Sequence, residues 1–330
     1  MRFNEAQQEA VDFYQGPCLT LAGPGSGKTA VITHRTKNLI EKYGVSPSEI
    51  LVVTFTKAAA MEMKERFLSL TNQTSTTATF GTFHAVFFTV LKYAYHYRAE
   101  NIIRDEQKVV FIRNLLRHFP IDYEDENECI QTLLSEISGV KNSNIPIEHY
   151  YSSNFPEHTF RDVFMNYQKM LQKNRLIDFD DMLVYTYELF SQRKDILALW
   201  QKKFRYILID EFQDINGLQY EIIRMLAAPE NNLFVVGDDD QSIYRFRQAR
   251  PEIMLNFEKD YADAKRIVLN YNYRSDGNIV AAAGRLIAHN TGRFAKDIKA
   301  FHPAKEAVVC KTYRTQREEN LGLIHALKEY

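Results

Sequence analysis

Residues 22–29 read AGPGSGKT, and residues 206–214 read YILIDEFQD. The first stretch has the composition of a phosphate cradle. Gly23, Gly25 and Gly27 let the backbone turn its N–H groups around phosphate oxygens, and a helix starting just after them adds favourable potential for negative charge. Lys28 is placed to reach the β- and γ-phosphates of a nucleotide, and Thr29 to help hold Mg²⁺. The strict pattern G-x-x-x-x-G-K-[ST] is missed at one position, where Ala22 stands for the first glycine. The second stretch is an apolar run ending in two carboxylates. There Asp210 would hold the metal through water, and Glu211 would act as general base on the attacking water. Together the two stretches predict hydrolysis of a nucleoside triphosphate.

A third stretch, GDDDQSIYRFRQAR at 237–250, puts three aspartates before alternating aromatic and arginine residues. Asp238, Asp239 and Asp240 could hold a divalent cation, while Tyr244, Arg245, Phe246 and Arg247 suit nucleotide bases and phosphates. Taken alone, it reads equally as a metal site, an acidic surface loop or a device joining two chemistries.

These residues need a scaffold, and the hydrophobic pattern supplies one. Short β-branched runs occur at 18–22, 50–55, 206–210, 233–238 and 266–269, several of them separated by helical patterns such as AVITHRTKNLIEKY. This alternation predicts an α/β fold around a parallel sheet. Asp210 and Asp238 close their strands, on the side where open parallel sheets bind ligands. From about 86 to 180 the pattern turns helical, as in TFRDVFMNYQKMLQKN, which predicts a helical insertion dividing the α/β domain. From about 266, a strand, the helix DGNIVAAAGRLIAHN and a strand AVVCKTY begin a second α/β unit. So small a unit predicts a natural chain that runs past Tyr330.

Composition narrows the function classes. The formal net charge is -1, so any nucleic-acid site must be local rather than a matter of bulk charge. Cys18, Cys129 and Cys310 lie far apart without C-x-x-C spacing, which indicates neither a zinc cluster nor a disulfide framework. No apolar run approaches the ~20 residues of a membrane span, and the first residues lack a signal-peptide pattern. The expectation is a cytoplasmic protein without a membrane partner.

In motif order, these residues resemble the superfamily 1A DNA helicases of the UvrD, Rep and PcrA type over nearly the whole chain. FNEAQQEAV at 3–11 resembles the Q motif, AGPGSGKT motif I, VVTFTKAAAMEM motif Ia, and GTFHA the DNA-contacting motif after it. DFDDML at 178–183 matches a segment before motif II; DEFQD resembles motif II, GDDDQSIYRFRQA motif III and NYRS at 272–275 motif IV. In this family alanine is usual at the first position of motif I.

The resemblance implies a RecA-like P-loop domain 1A at 1–85 and 181–265, a helical 1B insertion at 86–180, and the start of a second RecA-like domain 2A at 266–330. It implies ATP-driven 3′ to 5′ translocation on single-stranded DNA with duplex unwinding, in repair or replication restart, with ATP and Mg²⁺ as cofactors. The nucleotide would be held by Gln7 at its adenine edge and by Ala22, Gly23, Pro24, Gly25, Ser26, Gly27, Lys28 and Thr29. Gln241 would sense the γ-phosphate and position water, and Arg274 would lie against that phosphate. For DNA, aromatic faces stack on bases and polar groups hold the backbone. Phe55, Tyr244 and Phe246 are the stacking candidates, Thr82 and His84 the phosphate contacts, and Arg247 a further DNA contact. Single-stranded DNA, duplex junctions and the rest of the helicase in the same polypeptide are the implied partners. A helicase–nuclease motor, an antiphage ATPase and a DNA-binding module without turnover are the alternatives.

The chain also departs from the family's pattern. Lys57 and Ala58 replace the usual N-K pair of motif Ia, Phe246 replaces tryptophan in motif III, and Ala30 stands where an arginine is common. Motifs V and VI do not occur before Tyr330.

Overall fold

The structure, a computed structural model, describes residues 2–119, 121, 123–143, 145–244 and 248–329. Eight strands are present among them: β1 (Cys18–Ala22), β2 (Ile50–Thr54), β3 (Thr79–Thr82), β4 (Tyr206–Ile209), β5 (Leu233–Gly237), β6 (Lys265–Leu269), β7 (Tyr271–Asp276) and β8 (Lys299–His302). The helices of the first part are α1 (Glu5–Asp12), α2 (Lys28–Glu41), α3 (Lys57–Thr71), α4 (Phe83–Tyr95), α5 (Asp105–Leu116), α6 (Glu126–Ser143), α7 (Glu157–Lys173), α8 (Phe179–Gln192) and α9 (Lys194–Lys203). They are followed by α10 (Gly217–Ala227), α11 (Pro251–Leu255), α12 (Phe257–Asp260), α13 (Gly277–Ile287) and α14 (Gln316–Glu329).

The chain forms two compact units, one of residues 1–23 and 27–269, the other of residues 24–26 and 270–330. The first is built on a six-stranded parallel sheet in the order β3-β2-β4-β5-β1-β6. Every residue of β1, β2, β4 and β5 is buried, as expected of central strands covered on both faces. The edge strands β3 and β6 are only partly covered. Cys18, Val52, Leu208, Phe234 and Val236 join Ala10, Val31, Ile32 and Leu39 of α1 and α2 in one core cluster. Arg35 of α2 is buried too, its guanidinium 4.4 Å from the Phe234 ring centroid and 5.2 Å from that of Phe13.

Helices α4 to α9 all fall between β3 and β4 in the chain. Helices α5, α6 and α7 enclose a core of their own, in which Ile112, Leu116, Ile130, Leu133, Ile137, Phe160, Val163 and Leu171 pack together. A strongly one-sided pattern on α7 supplies that core with Phe160, Val163, Phe164, Tyr167 and Leu171 at helical spacing.

Two expectations change. The run at 266–269, read as opening a second unit, is β6, which pairs with β1 from Cys18↔Lys265 to Ala22↔Leu269 and completes the first sheet. The run AVVCKTY at 307–313 forms no strand. In the second unit β7 pairs instead with β8, from Tyr271↔Lys299 onward, and α13 packs on both. An apolar run becomes a strand only where a neighbour accepts its backbone hydrogen bonds, and residues 307–313 have none among the described strands.

Candidate functional site

The candidate phosphate cradle, residues 22–29, lies where β1 ends and α2 begins. Ala22, the last residue of β1, is fully buried. Gly27 caps α2 at φ 87, a left-handed conformation that favours glycine, and the helix starts without a side-chain cap. Its N-terminal turn therefore presents backbone N–H groups toward the loop. A Cβ on Gly27 would stand 3.1 Å from Gln7 Nε2, so the side chain of Gln7 lies against the loop. That glutamine is held by a capping box: its backbone N–H donates to Asn4 Oδ1 at 2.8 Å, and its Oε1 accepts from the Asn4 N–H at 3.1 Å.

Pro24, Gly25 and Ser26, the tip of the loop, belong to the second unit. There Gly25, at φ 65, accepts a hydrogen bond from the Tyr273 N–H at 3.0 Å. A Cβ at this position would stand 2.7 Å from Cβ of Arg274 and 2.8 Å from Asn272 Oδ1, so only glycine fits. Asn272 Oδ1 accepts the backbone N–H groups of Arg274 and Ser275, each at 2.9 Å, and so fixes the backbone of the NYRS turn.

The acidic turn follows β4. Glu211 adopts φ 52 and ψ 45, left-handed for a non-glycine residue and a mark of local strain. Its Oε2 accepts from Lys28 Nζ at 2.9 Å and from Gln213 Nε2 at 2.9 Å. Asp210 is buried, and burial first, then the neighbouring Glu211, pushes its carboxyl up to about 7. Its buried Oδ1 has no hydrogen-bond partner among the described residues. A buried carboxylate oxygen without a partner, on a cavity that Thr29 also lines, fits a divalent cation, which would restore the charged form. Asp214 is raised to about 6 by burial and by Glu211, and it accepts from Gln213 Nε2 at 3.1 Å.

Thr29, Phe55, Asp210, Glu211, Gln241 and Tyr244 line one cavity of about 370 Å³. The Phe55 and Tyr244 rings stack there, with centroids 5.2 Å apart and planes 26° from parallel. Gln241 Nε2 donates to Asp238 Oδ2 at 2.6 Å, while the N–H of Asp238 donates to Gln213 Oε1 at 3.0 Å. Asp238 also accepts from the Asp240 N–H at 3.2 Å. Asp238, the first residue of the acidic run, is thus occupied in shaping a loop that joins Gln241 to the acidic turn.

A second cavity, of about 460 Å³, is lined by Phe55, His84, Phe179, Asp180 and Asp214 among others. Phe55 and Asp214 therefore line both cavities. His84 meets the Phe179 ring edge-on at 5.4 Å, and burial pulls its imidazole below the ordinary range, so near neutral pH it offers a neutral hydrogen-bonding group rather than a charge. Thr82 caps α4, its hydroxyl oxygen accepting from the Ala85 N–H at 3.3 Å.

Lys28, Thr29, Asp210, Glu211, Gln241, Phe55 and Tyr244 thus come together, and Thr82 and His84 stand at the start of α4, with His84 in the second cavity. Arg274 belongs to the second unit. Phe246 and Arg247 lie outside the described residues. The sequence reading missed Gln213, Asp214 and Phe179. Phe179 is 47% exposed at the start of α8, and its only signal was its place inside DFDDML.

The model of the UvrD/REP helicase N-terminal domain matches residues 3–262. A putative ATP-dependent DNA helicase, YjcD of Bacillus subtilis (strain 168), is 39% identical over 335 residues, covering 99% of this chain and 44% of the relative. The ATP-dependent DNA helicase PcrA of the same organism is 38% identical over 325 residues, covering 97% of this chain and 43% of that protein. PcrA of Leuconostoc citreum is 36% identical over 323 residues, covering 96% and 43%. The chain thus spans less than half the length of these relatives.

Proposed function

As this chain belongs to the UvrD/REP helicase family, we propose that it is the nucleotide- and DNA-binding part of an ATP-dependent DNA helicase, which moves 3′ to 5′ on single-stranded DNA and opens duplex ahead of it. The observation that carries this reading is the shared cavity, in which a stacked aromatic pair and the carboxylates of the acidic turn face the same space. In it, nucleotide chemistry and base stacking are close enough to affect each other.

In the proposed reaction, ATP enters the cradle of residues 22–29 and Lys28 leaves Glu211 for the β- and γ-phosphates. Glu211, still held by Gln213, then takes a proton from water as that water attacks the γ-phosphorus. The bond to the β-phosphate oxygen breaks, and ADP and phosphate leave. Thr29 and Asp210 would hold Mg²⁺, which when bound neutralises charge on the phosphate oxygens. Gln241, tethered to Asp238, would orient the water. Gln7 would contact the adenine edge, and Arg274 would approach the γ-phosphate. Phe55 and Tyr244 would stack on bases, with Thr82 and His84 contacting the backbone. Completion of the motor by further domains of the same polypeptide, cytoplasmic location and a role in repair or replication restart are parts of the same proposal.

The test is ATP hydrolysis by the complete polypeptide with and without oligothymidylate. Stimulation by the oligonucleotide is expected. Hydrolysis indifferent to DNA, or none, overturns the reading.

A further inference from the structure

Near the cavity lined by Phe55, His84 and Phe179 lies a buried polar network that the proposed reaction does not use. Lys141, near the end of α6, has a side chain only 2% exposed. Its Nζ donates to Asp178 Oδ2 at 2.6 Å and to Asp181 Oδ1 at 2.7 Å. Tyr167 of α7 donates its hydroxyl to the same Asp178 oxygen at 3.0 Å. Asp178 and Asp181 also form the capping box that starts α8, each accepting the other's backbone N–H, at 2.8 and 3.1 Å. Phe179, whose ring lines the cavity, sits between them in sequence.

The next residue reaches the other way. Asn142 Nδ2 donates to Asp180 Oδ1 at 2.6 Å, and its side-chain Oδ1 accepts from Asn216 Nδ2 at 3.0 Å. Asn216 caps α10 in a box with Gln219. It lies two residues beyond Asp214, at the end of the acidic turn. Two consecutive residues of one helix thus hold the start of α8 and the cap that follows the acidic turn.

Stability alone is a poor account of such an arrangement. A buried ion pair recovers little more than its own desolvation, and apolar residues of similar volume often do as well or better. A cation with two acceptors in fixed directions does set geometry, because leaving either carboxylate unpaired is costly.

We propose that Lys141 and Asn142 are positioning residues that make the α5–α7 helices, the Phe179 ring and the acidic turn after β4 move as one body, so that nucleotide bound beside Glu211 changes the grip on DNA. The inference rests on the function proposed above. Neither residue touches nucleotide chemistry; each acts through the groups it holds.

The experiment measures the affinity of the complete polypeptide for fluorescent oligothymidylate with and without a non-hydrolysable ATP analogue and Mg²⁺. The wild-type ratio of the two affinities is expected to be about 5-fold or more, the lower end of ordinary coupling between sites. In Asn142→Ala that ratio should fall to within about 2-fold of unity, while affinity for the analogue alone stays within about 3-fold of wild type. Asp180→Ala, which removes the acceptor from the other side, should do the same, and Asp180→Asn, which keeps an acceptor oxygen, should retain the ratio. A folded Asn142→Ala protein with the wild-type ratio overturns the inference. So does failure of both alanine variants to fold, which would mark the contact as structural. A wild-type ratio of one would instead remove the function proposed above, and this inference with it.

Discussion

Lys28 Nζ and Glu211 Oε2 lie 2.9 Å apart, so the lysine proposed to meet phosphate and the carboxylate proposed to activate water are each other's partners. In the proposed reaction each would become available only when the other is drawn away. A nucleotide phosphate that attracts Lys28 would at the same time free Glu211, which ties base activation to substrate arrival.

Lys28→Ala should lower ATP turnover by roughly 10²–10³-fold, the loss typical of removing one donor to developing charge. Affinity for single-stranded DNA without nucleotide should change little. Steady-state hydrolysis and fluorescence anisotropy check the two halves, and surviving turnover would remove Lys28 from the reaction.

Glu211→Gln keeps an acceptor oxygen for Lys28 but cannot take a proton from water. Hydrolysis should drop by roughly 10²–10⁴-fold with nucleotide affinity nearly retained. The check is a single-turnover rate alongside the affinity for a fluorescent ATP analogue. Equal losses in both would reassign Glu211 to binding.

Phe55→Ala breaks the stack with Tyr244 and removes a face from both cavities. It should weaken binding of oligothymidylate by about 1–3 kcal/mol. Phe179→Ala should weaken it within the same range of about 1–3 kcal/mol, at a small cost in thermal stability because only about half of the residue is covered. Anisotropy titrations at fixed salt, paired with thermal melts, separate the two effects.

The buried carboxylates predict how stability changes with pH. Burial first, and then Asp178, pushes Asp181 up to about 7, while its unfolded value is that of an ordinary carboxyl near 3.8. Across that interval the folded chain holds the extra proton, so stability declines as pH rises from about 4 to 7. Asp178 is the opposite case: burial works against ionisation, but the Lys141 ammonium overrides it and holds the carboxyl low, so its contribution is lost only in acid. The melting temperature of the ligand-free chain should fall as pH rises from about 4 to 7. Asp181→Asn should flatten that slope, at a cost of about 1 kcal/mol for one capping bond. An unchanged slope in the variant would show that the titration belongs elsewhere.

How much of this was readable from sequence depended on the range of the interaction. The cradle at 22–29, the strands β1, β2, β4 and β5 and the pair Asp210–Glu211 are local patterns, fixed by glycine placement and hydrophobic period. Partner choice is not local. The apolar run at 266–269 is compatible with either unit, and only its pairing with β1 decides. The apolar run at 307–313 meets no strand, whereas KAFH at 299–302, a weaker pattern, does. Phe179 is hidden for the same reason: nothing in DFDDML says that the phenylalanine faces out while Asp178 and Asp181 face in. Lys141 could be read only as one more surface lysine, because its burial depends on carboxylates 37 and 40 residues away.

The left-handed backbone at Glu211 bears on how the chain can be altered. A glycine would adopt φ 52 without steric conflict, so the backbone alone favours Glu211→Gly, although loss of the contacts to Lys28 and Gln213 offsets part of that gain. A laboratory selection for heat resistance, applied without any demand for turnover, would therefore be drawn toward this position and deliver sturdy, inert protein. Libraries meant to harden the chain should leave codon 211 fixed, and a stabilised variant that carries a change there should be assayed for activity before anything else.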